Sequence, residues 1–387
     1  MEKFLVSTLG KGKYFSHPLY LEEKYILLSP EVPVSDLLIN RLQRWNYSYV
    51  FSQGEQVDGI AGGNNDSSNV EVSVNLDYDA REQTEFAKAF DFYKSLVSQT
   101  ETLFADFINK NVLSLQTVTN LVKLAIETIK EQRQYLLRLT EMHIEDMNYL
   151  VVHSVRSLLL SISLGQVFKL PPHKLLELAM AGLLNEIGMI KLPSQLYSSN
   201  KILTPQERKA VSAHTVLGFK ILKSAGFPMS VCLAVLESHE NMDGSGYPRN
   251  LSADKISLYA KIIGVASSYA ALTSPRPFRH AFDGHSSIVE LLKGMGRRYD
   301  EHAVRGLVSL LSIFPIGTWV QLANGSIGMV TATNDQNPKE PFVRIKIGPS
   351  GEKFADAVVV RTDAIEYRIA RAMSVPQTNE IKRNNGF

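Results

Sequence analysis

Cysteine is nearly missing from this chain: Cys232 is the only one in 387 residues. No disulfide can therefore close within it, and Cys232, inside the apolar run Val231 to Leu236, reads as a small core residue. Long hydrophobic runs are missing too. No uninterrupted stretch reaches the roughly 18 apolar residues of a membrane span, and the start Met1 to Thr8 is followed at once by Gly10-Lys11-Gly12-Lys13 rather than by a signal-peptide pattern. The expectation is a cytoplasmic protein with no membrane span. Charge of one sign is also absent, the formal balance being +2, which argues against general nucleic-acid binding, so DNA is not an expected partner. With 44% apolar and 21% charged residues, the composition is that of a globular protein, and the length suggests two or three domains. No internal repeat or low-complexity tract stands out.

Residues 1–75 are expected to form a small α/β unit plus linker. Tyr25 to Leu28 and Tyr47 to Phe51 have β character, Leu37, Leu38, Ile39, Leu42 and Trp45 approximate one face of a short helix, and Gly54 to Asn75 is rich in Gly, Asn and Ser. Residues 81–145 are expected to be a helical connector, and helical spacing continues through 143–168. Thr204-Pro205-Gln206-Glu207 has the composition of a helix start. Beyond Pro315 the pattern changes to short β-like runs, with Asn324-Gly325 as a hairpin turn. Residues 316–387 are thus expected to be a small β-rich extension, frayed from about Gln377.

The most informative stretch is Ser238-His239-Glu240-Asn241-Met242-Asp243-Gly244-Ser245-Gly246-Tyr247-Pro248. It sets a histidine and carboxylates beside a glycine-rich turn, a mixture that core packing does not require. His153 and His214 lie in helical segments far away in sequence. A helical bundle commonly assembles metal sites from such inward side chains, while a lone histidine on a helix is more often a packed structural residue.

Six motifs occur in order: His153-Ser154-x-Arg156, Leu183-Leu184-Asn185-Glu186-Ile187-Gly188-Met189-Ile190, Leu203-Thr204-x-x-Glu207, His214-x-x-x-Gly218, the stretch above, and Ala271-Leu272-Thr273-Ser274-x-Arg276-Pro277-Phe278-Arg279. Together they make residues 146–315 resemble the HD-GYP family of cyclic di-GMP phosphodiesterases. The resemblance implies a mainly α fold, an HD-superfamily helical bundle, holding Fe- or Mn-type ions that activate water and clamp a phosphodiester.

Position by position, His153, His214 and His239 fall on the family's ligand positions, but Asn185-Glu186 replaces its His-Asp pair. Ser238 stands for a ligand histidine, Ser267 for a bridging aspartate, Ala270 for a second aspartate and Met189 for a lysine near the phosphate. Tyr149 stands where some members place a glutamate. A neutral amide is a poor donor to a transition metal. The resemblance therefore implies a degenerate member with no confident catalytic residue. It would hold either no cofactor or one Fe/Mn-type divalent ion on His153, Glu186, His214 and His239. The nucleotide-facing side is retained: Gly244, Gly246 and Tyr247 in the turn, and Arg276 and Arg279 toward phosphates.

The leading expectation is a cyclic-dinucleotide signalling module that senses cyclic di-GMP or a related nucleotide, or docks a protein partner, without hydrolysis. Two alternatives stand beside it. One is an active metal phosphodiesterase with an atypical site built on Glu186. The other is an interaction protein whose helices over 84–141 form a homodimer.

Overall fold

Capping side chains set six of the helix starts among the described residues. Ser114 accepts from the Thr117 amide, Asn148 from Leu150, Ser257 from Ala260, Asp283 from Ser286 and Asp300 from Ala303. Thr204 and Glu207 form a reciprocal capping box with Pro205 at the first helical position. The computed structural model describes residues 1–21, 25–28, 34, 36–44, 47–57, 72–73, 76–141, 148–193, 195–198, 204–274, 281–334, 337–354 and 358–385. The chain divides into two compact units, Met1–Val70 and Glu71–Phe387.

The first unit contains β1 (Glu2–Leu5), β2 (Tyr14–Phe15), β3 (Leu19–Leu21), β4 (Tyr25–Leu28), α1 (Asp36–Arg44), β5 (Tyr49–Ser52) and β6 (Gln56–Val57). Its antiparallel sheet has the order β1-β5-β3-β4, and β2 pairs with β6. Val6, Phe15, Leu19, Leu42 and Val50 close a small core of its own. Trp45 and most of the glycine-rich linker lie outside the described residues.

The second unit opens with β7 (Val72–Ser73) and continues as α2 (Leu76–Lys110), α3 (Leu115–Leu139), α4 (Tyr149–Val167), α5 (Pro172–Leu184), α6 (Gln195–Ser198), α7 (Pro205–Ser212), α8 (His214–Ser224), α9 (Met229–Glu237), α10 (Leu258–Leu272), α11 (Gly284–Lys293) and α12 (Glu301–Leu311). The central element is α4. Val155, Leu158, Leu159, Leu160, Ile162 and Leu164 are fully buried around its circumference, as a helix enclosed by others requires. By length and composition it could cross a membrane, but here most of it is buried inside the unit, packed against α3, α5 and α10. The sequence places helical spacing from 143; α4 starts at Tyr149 because Asn148 caps it, and residues 142–147 lie outside the described set.

The connector belongs to the same core. Tyr93 and Leu96 of α2 and Val118, Val122 and Ala125 of α3 are fully buried in one cluster with the α4 and α10 side chains. These side chains of the apolar stripes thus face inward. Arg156, 1% exposed, reaches from α4 to the end of α10, where Nη1 donates to Ser274 Oγ at 2.7 Å.

The tail forms β8 (Trp319–Leu322), β9 (Ile327–Ala332), β10 (Phe342–Ile347), β11 (Val358–Arg361) and β12 (Ile369–Ala372), then α13 (Val375–Asn385). Asn324-Gly325 does make the β8–β9 turn: the Leu322 amide donates to the Ser326 carbonyl at 2.8 Å, with Gly325 at φ 91°. Two features depart from the sequence reading. The sheet order is β12-β8-β9-β10-β11-β7, so Val72–Ser73, in a stretch of linker composition, supplies an edge strand to a tail some 285 residues later. The terminus from Gln377 is helical rather than frayed, its start held by Ser374, whose amide and hydroxyl contact Gln377 Oε1 at 3.0 and 3.1 Å.

Candidate functional site

Five chain segments converge on one buried point. His153 comes from the middle of α4, Asn185 and Glu186 from the turn after α5, His214 from the first position of α8, Ser238 and His239 from the end of α9, and Ser267 from α10. The turn after α5 can lie against α8 because residue 188 is glycine. A β-carbon on Gly188 would overlap the His214 carbonyl and the Gly218 amide. Gly188→Ala must therefore push α8 away and carry His214 from Glu186. The expected loss is about 3 kcal/mol of stability in denaturant melts, whereas Gly218→Ala, which meets a Val235 methyl rather than backbone, is expected to be milder.

The point divides into two halves. In the first, Glu186 Oε2 lies 3.4 Å from His214 Nε2 and Oε1 lies 3.2 Å from His239 Nε2. One donor atom from each of these three residues falls within 4.8 Å of the others. His214 is oriented as metal-binding histidines are: Nδ1 donates to the Val211 carbonyl at 2.6 Å, and buried Nε2 has no hydrogen-bond partner among the described residues. Burial alone would raise the Glu186 carboxyl, but His214 and His239 outweigh it and hold the group well below the usual carboxylate range. Burial pushes His214 down, with Glu186 pulling against it. An ionised carboxylate with a neutral imidazole is the protonation state that metal binding needs. Two imidazoles and a carboxylate form a donor set suited to Fe, Mn or Zn, so these residues fit one divalent ion.

The second half has closed on itself. His153 Nε2 lies 3.0 Å from Ser267 Oγ and 3.4 Å from Ser157 Oγ, and Nδ1 lies 3.4 Å from the Tyr149 hydroxyl. Asn185 Nδ2 donates to Ser267 Oγ at 3.2 Å and to Glu186 Oε1 at 3.5 Å. Although His153 Nε2 is only 3.9 Å from Glu186 Oε1, its lone pair is engaged by hydroxyls. The expected four-donor set is thus placed as three donors with His153 alongside. A neutral amide and two hydroxyls around one histidine do not fit a second ion.

Met189 and Ala270 are buried in the apolar core, which explains how these positions tolerate side chains without charge. Ser238 caps the end of α9 and donates to the Val235 carbonyl at 3.0 Å. Neither serine nor alanine was given a partner by sequence reasoning; the hydroxyl network around His153 becomes visible only when α4, α5 and α10 are packed together.

The glycine turn is pinned by carboxylates. Glu240 accepts from the Arg249 and Leu251 amides at 2.7 and 2.9 Å, and Glu237 accepts from the Ser257 amide at 2.9 Å and from the Arg249 guanidinium. Asp243 accepts from the amide and hydroxyl of Ser245 at 3.0 and 2.6 Å. Gly246 is required by the chain itself, since a β-carbon would overlap the backbone of residues 239–241. Gly244 has φ 78°, which favours glycine. Tyr247 lies flat against His239, with ring centroids 5.0 Å apart and planes 8° apart, and edge-on to His214 at 6.2 Å. Burial holds its phenol well above the usual value, so it is a neutral ring. Beside it a cavity of about 210 Å³ is lined by Ser238, His239, Tyr247, Lys261, Ser268 and Arg298, among others. Arg276 and Arg279 lie outside the described residues.

The family model of the HD domain matches residues 127–303. A cyclic di-GMP phosphodiesterase, PdeB, of Borreliella burgdorferi is 31% identical over 196 residues, covering 51% of this chain and 52% of that protein. The cyclic di-GMP phosphodiesterase PA4108 of Pseudomonas aeruginosa is 28% identical over 248 residues, 63% of this chain and 59% of that one. The chain thus spans about half the length of the curated relatives it matches. Among solved structures, Bd1817, an HDG"Y"P protein from Bdellovibrio bacteriovorus, aligns with a TM-score of 0.47 at 16% identity, over 80% of this chain and 99% of that one. The HD-domain match takes in the helices that carry His153 and His214 and the Gly246-Tyr247-Pro248 turn, and together with these relatives it supports the HD-GYP family of HD-domain proteins for this part of the chain.

Proposed function

We propose that this protein is a member of its family that binds cyclic di-GMP, or a related cyclic dinucleotide, without hydrolysing it, and passes the occupied state to a protein partner in the cytoplasm. The observation that carries this reading is the contact of His153 with Ser267. Where the family resemblance implies a bridging aspartate between two ions, a hydroxyl 3.0 Å away satisfies the histidine instead. A two-ion clamp on the attacking and leaving oxygens has no second anchor here.

The outer face of Tyr247 is a shelf for a guanine, its other face being taken by His239, and Arg276 and Arg279 are assigned to the phosphates. A single Fe- or Mn-type ion on Glu186, His214 and His239 would supply positive charge beside those phosphates. Isothermal calorimetry with cyclic di-GMP tests the reading. Saturable binding is expected, weakened about 10-fold or more by Tyr247→Ala, since stacking on an aromatic ring contributes roughly 1–3 kcal/mol per base. Absence of binding to the intact chain by cyclic di-GMP and by cyclic GMP-AMP alike would remove it.

A second reading is favoured by the clustered Glu186, His214 and His239 donors: hydrolysis supported by one ion. Product formation that rises with added Mn²⁺ or Fe²⁺ and disappears in His214→Ala would favour it over the first.

A further inference from the structure

A second cavity, of about 410 Å³, lies where α3, α10 and α11 meet the tail sheet. It is about twice the size of the one beside Tyr247 and falls in the range of small-molecule sites, roughly 300–1,000 Å³. One wall is apolar, made by Trp319 of β8, Met329 of β9 and Met373 beyond β12; Glu141 and Asp283 supply carboxylates, Arg138 and Lys382 cations. Nine of the fourteen lining residues lie beyond residues 127–303, so the cavity is a property of this chain's tail as well as of its HD domain.

Glu141 is the unusual member. Oε1 accepts from the Tyr269 hydroxyl at 2.5 Å, and no described residue forms an ion pair with it. Burial pushes its carboxyl up to about 7, the Tyr269 hydrogen bond and the Arg156 and Arg138 charges pulling against it and Asp283 adding to it. Asp283 has both oxygens engaged by Ser286, at 2.8 Å each, as the cap of α11. The cavity therefore holds a buried acid with no ion-pair partner among the described residues, a second negative charge close by, an apolar wall and cations. A perturbed acid in a cleft of this kind is a candidate ligand site.

We propose that this cavity binds an α-amino acid with a large apolar side chain, its ammonium on Glu141, its carboxylate on Lys382 and Arg138, and its side chain against Trp319, Met329 and Met373. An ammonium would give Glu141 a direct ion-pair partner, where Arg156 and Arg138 act on it only from a distance. The helices that carry His153 and Ser267 also carry Arg156 and Tyr269, so the occupied cavity acts on the same two elements as the histidine site.

The test uses the full chain in a Trp45→Phe background, which leaves Trp319 as the only one of the two tryptophans. L-Phenylalanine is titrated while Trp319 emission and calorimetric heat are followed. Saturable binding is expected, weakened at least about 10-fold by Glu141→Gln, the loss of one charge-assisted hydrogen bond, and a few-fold by the exposed Lys382→Ala. 3-Phenylpropionate, which lacks the ammonium, is expected to bind at least about 10-fold more weakly than L-phenylalanine. The proposal is overturned if L-phenylalanine shows no saturation up to about 10 mM, if Glu141→Gln, folded by circular dichroism, binds as the parent does, or if 3-phenylpropionate binds equally well.

Discussion

Cyclic di-GMP incubated with the purified protein and excess Mn²⁺ or Fe²⁺ is expected to remain intact, at a rate at least about 10³-fold below that of a family member with a complete site. The magnitude follows from the second half of the site. Loss of even an outer-shell partner typically costs 10–100-fold in metal affinity or activity, and Asn185 and Ser267 stand at two positions where the family resemblance implies direct ligands. Their hydrogen bonds at 3.0 and 3.2 Å leave His153 satisfied without an ion. Liquid chromatography of the nucleotide over several hours decides the matter. Linear dinucleotide or GMP appearing at a rate within about 10-fold of an intact relative would contradict it.

The converse substitution should have the second large effect. Ser267→Asp puts a carboxylate beside His153 Nε2 and Asn185, Asn185→His replaces the amide with an imidazole, and Ser238→His points into the cavity beside Tyr247. The quadruple variant, completed by Met189→Lys to restore a cation, is expected to bind two ions per chain and to gain measurable cyclic di-GMP hydrolysis. Asn185 is fully buried, so a larger ring there is a packing burden of about 1–3 kcal/mol. Thermal melts therefore accompany the assay, and Ser267→Asp alone, which needs little extra room, is the control. Ser267→Asp that folds yet leaves ion content unchanged would show that His153 is held by more than the Ser267 hydroxyl.

How far the sequence reached depended on the range of the interactions. Caps at Thr204 and the turn at Asn324-Gly325 are local chemistry, and both stand as expected. The helical bundle was legible because six motifs recur in family order, with α4 marked by apolar residues at helical spacing. The edge strand Val72–Ser73 was not, since two residues carry no period and pair only with β11. Nor was the job of Glu240 and Glu237: a carboxylate beside His239 looks like a metal ligand until the amides of Arg249, Leu251 and Ser257 are found donating to it and its neighbour. Gly246 has the same lesson. Its lack of a side chain is required by the chain's own backbone at 239–241, before any ligand arrives. The separation of His153 from His214 and His239 could not come from spacing, because it rests on which hydroxyls α10 and α4 bring beside each ring.

Metal content by mass spectrometry, after reconstitution with excess Mn²⁺ or Fe²⁺ and desalting, addresses the division of the site most directly. One ion per chain, kept in His153→Ala and lost in His214→Ala, is the expected outcome of donors Glu186, His214 and His239 standing beside a histidine already satisfied by Ser267. Two ions per chain, or an ion lost with His153→Ala and kept in His214→Ala, would contradict it.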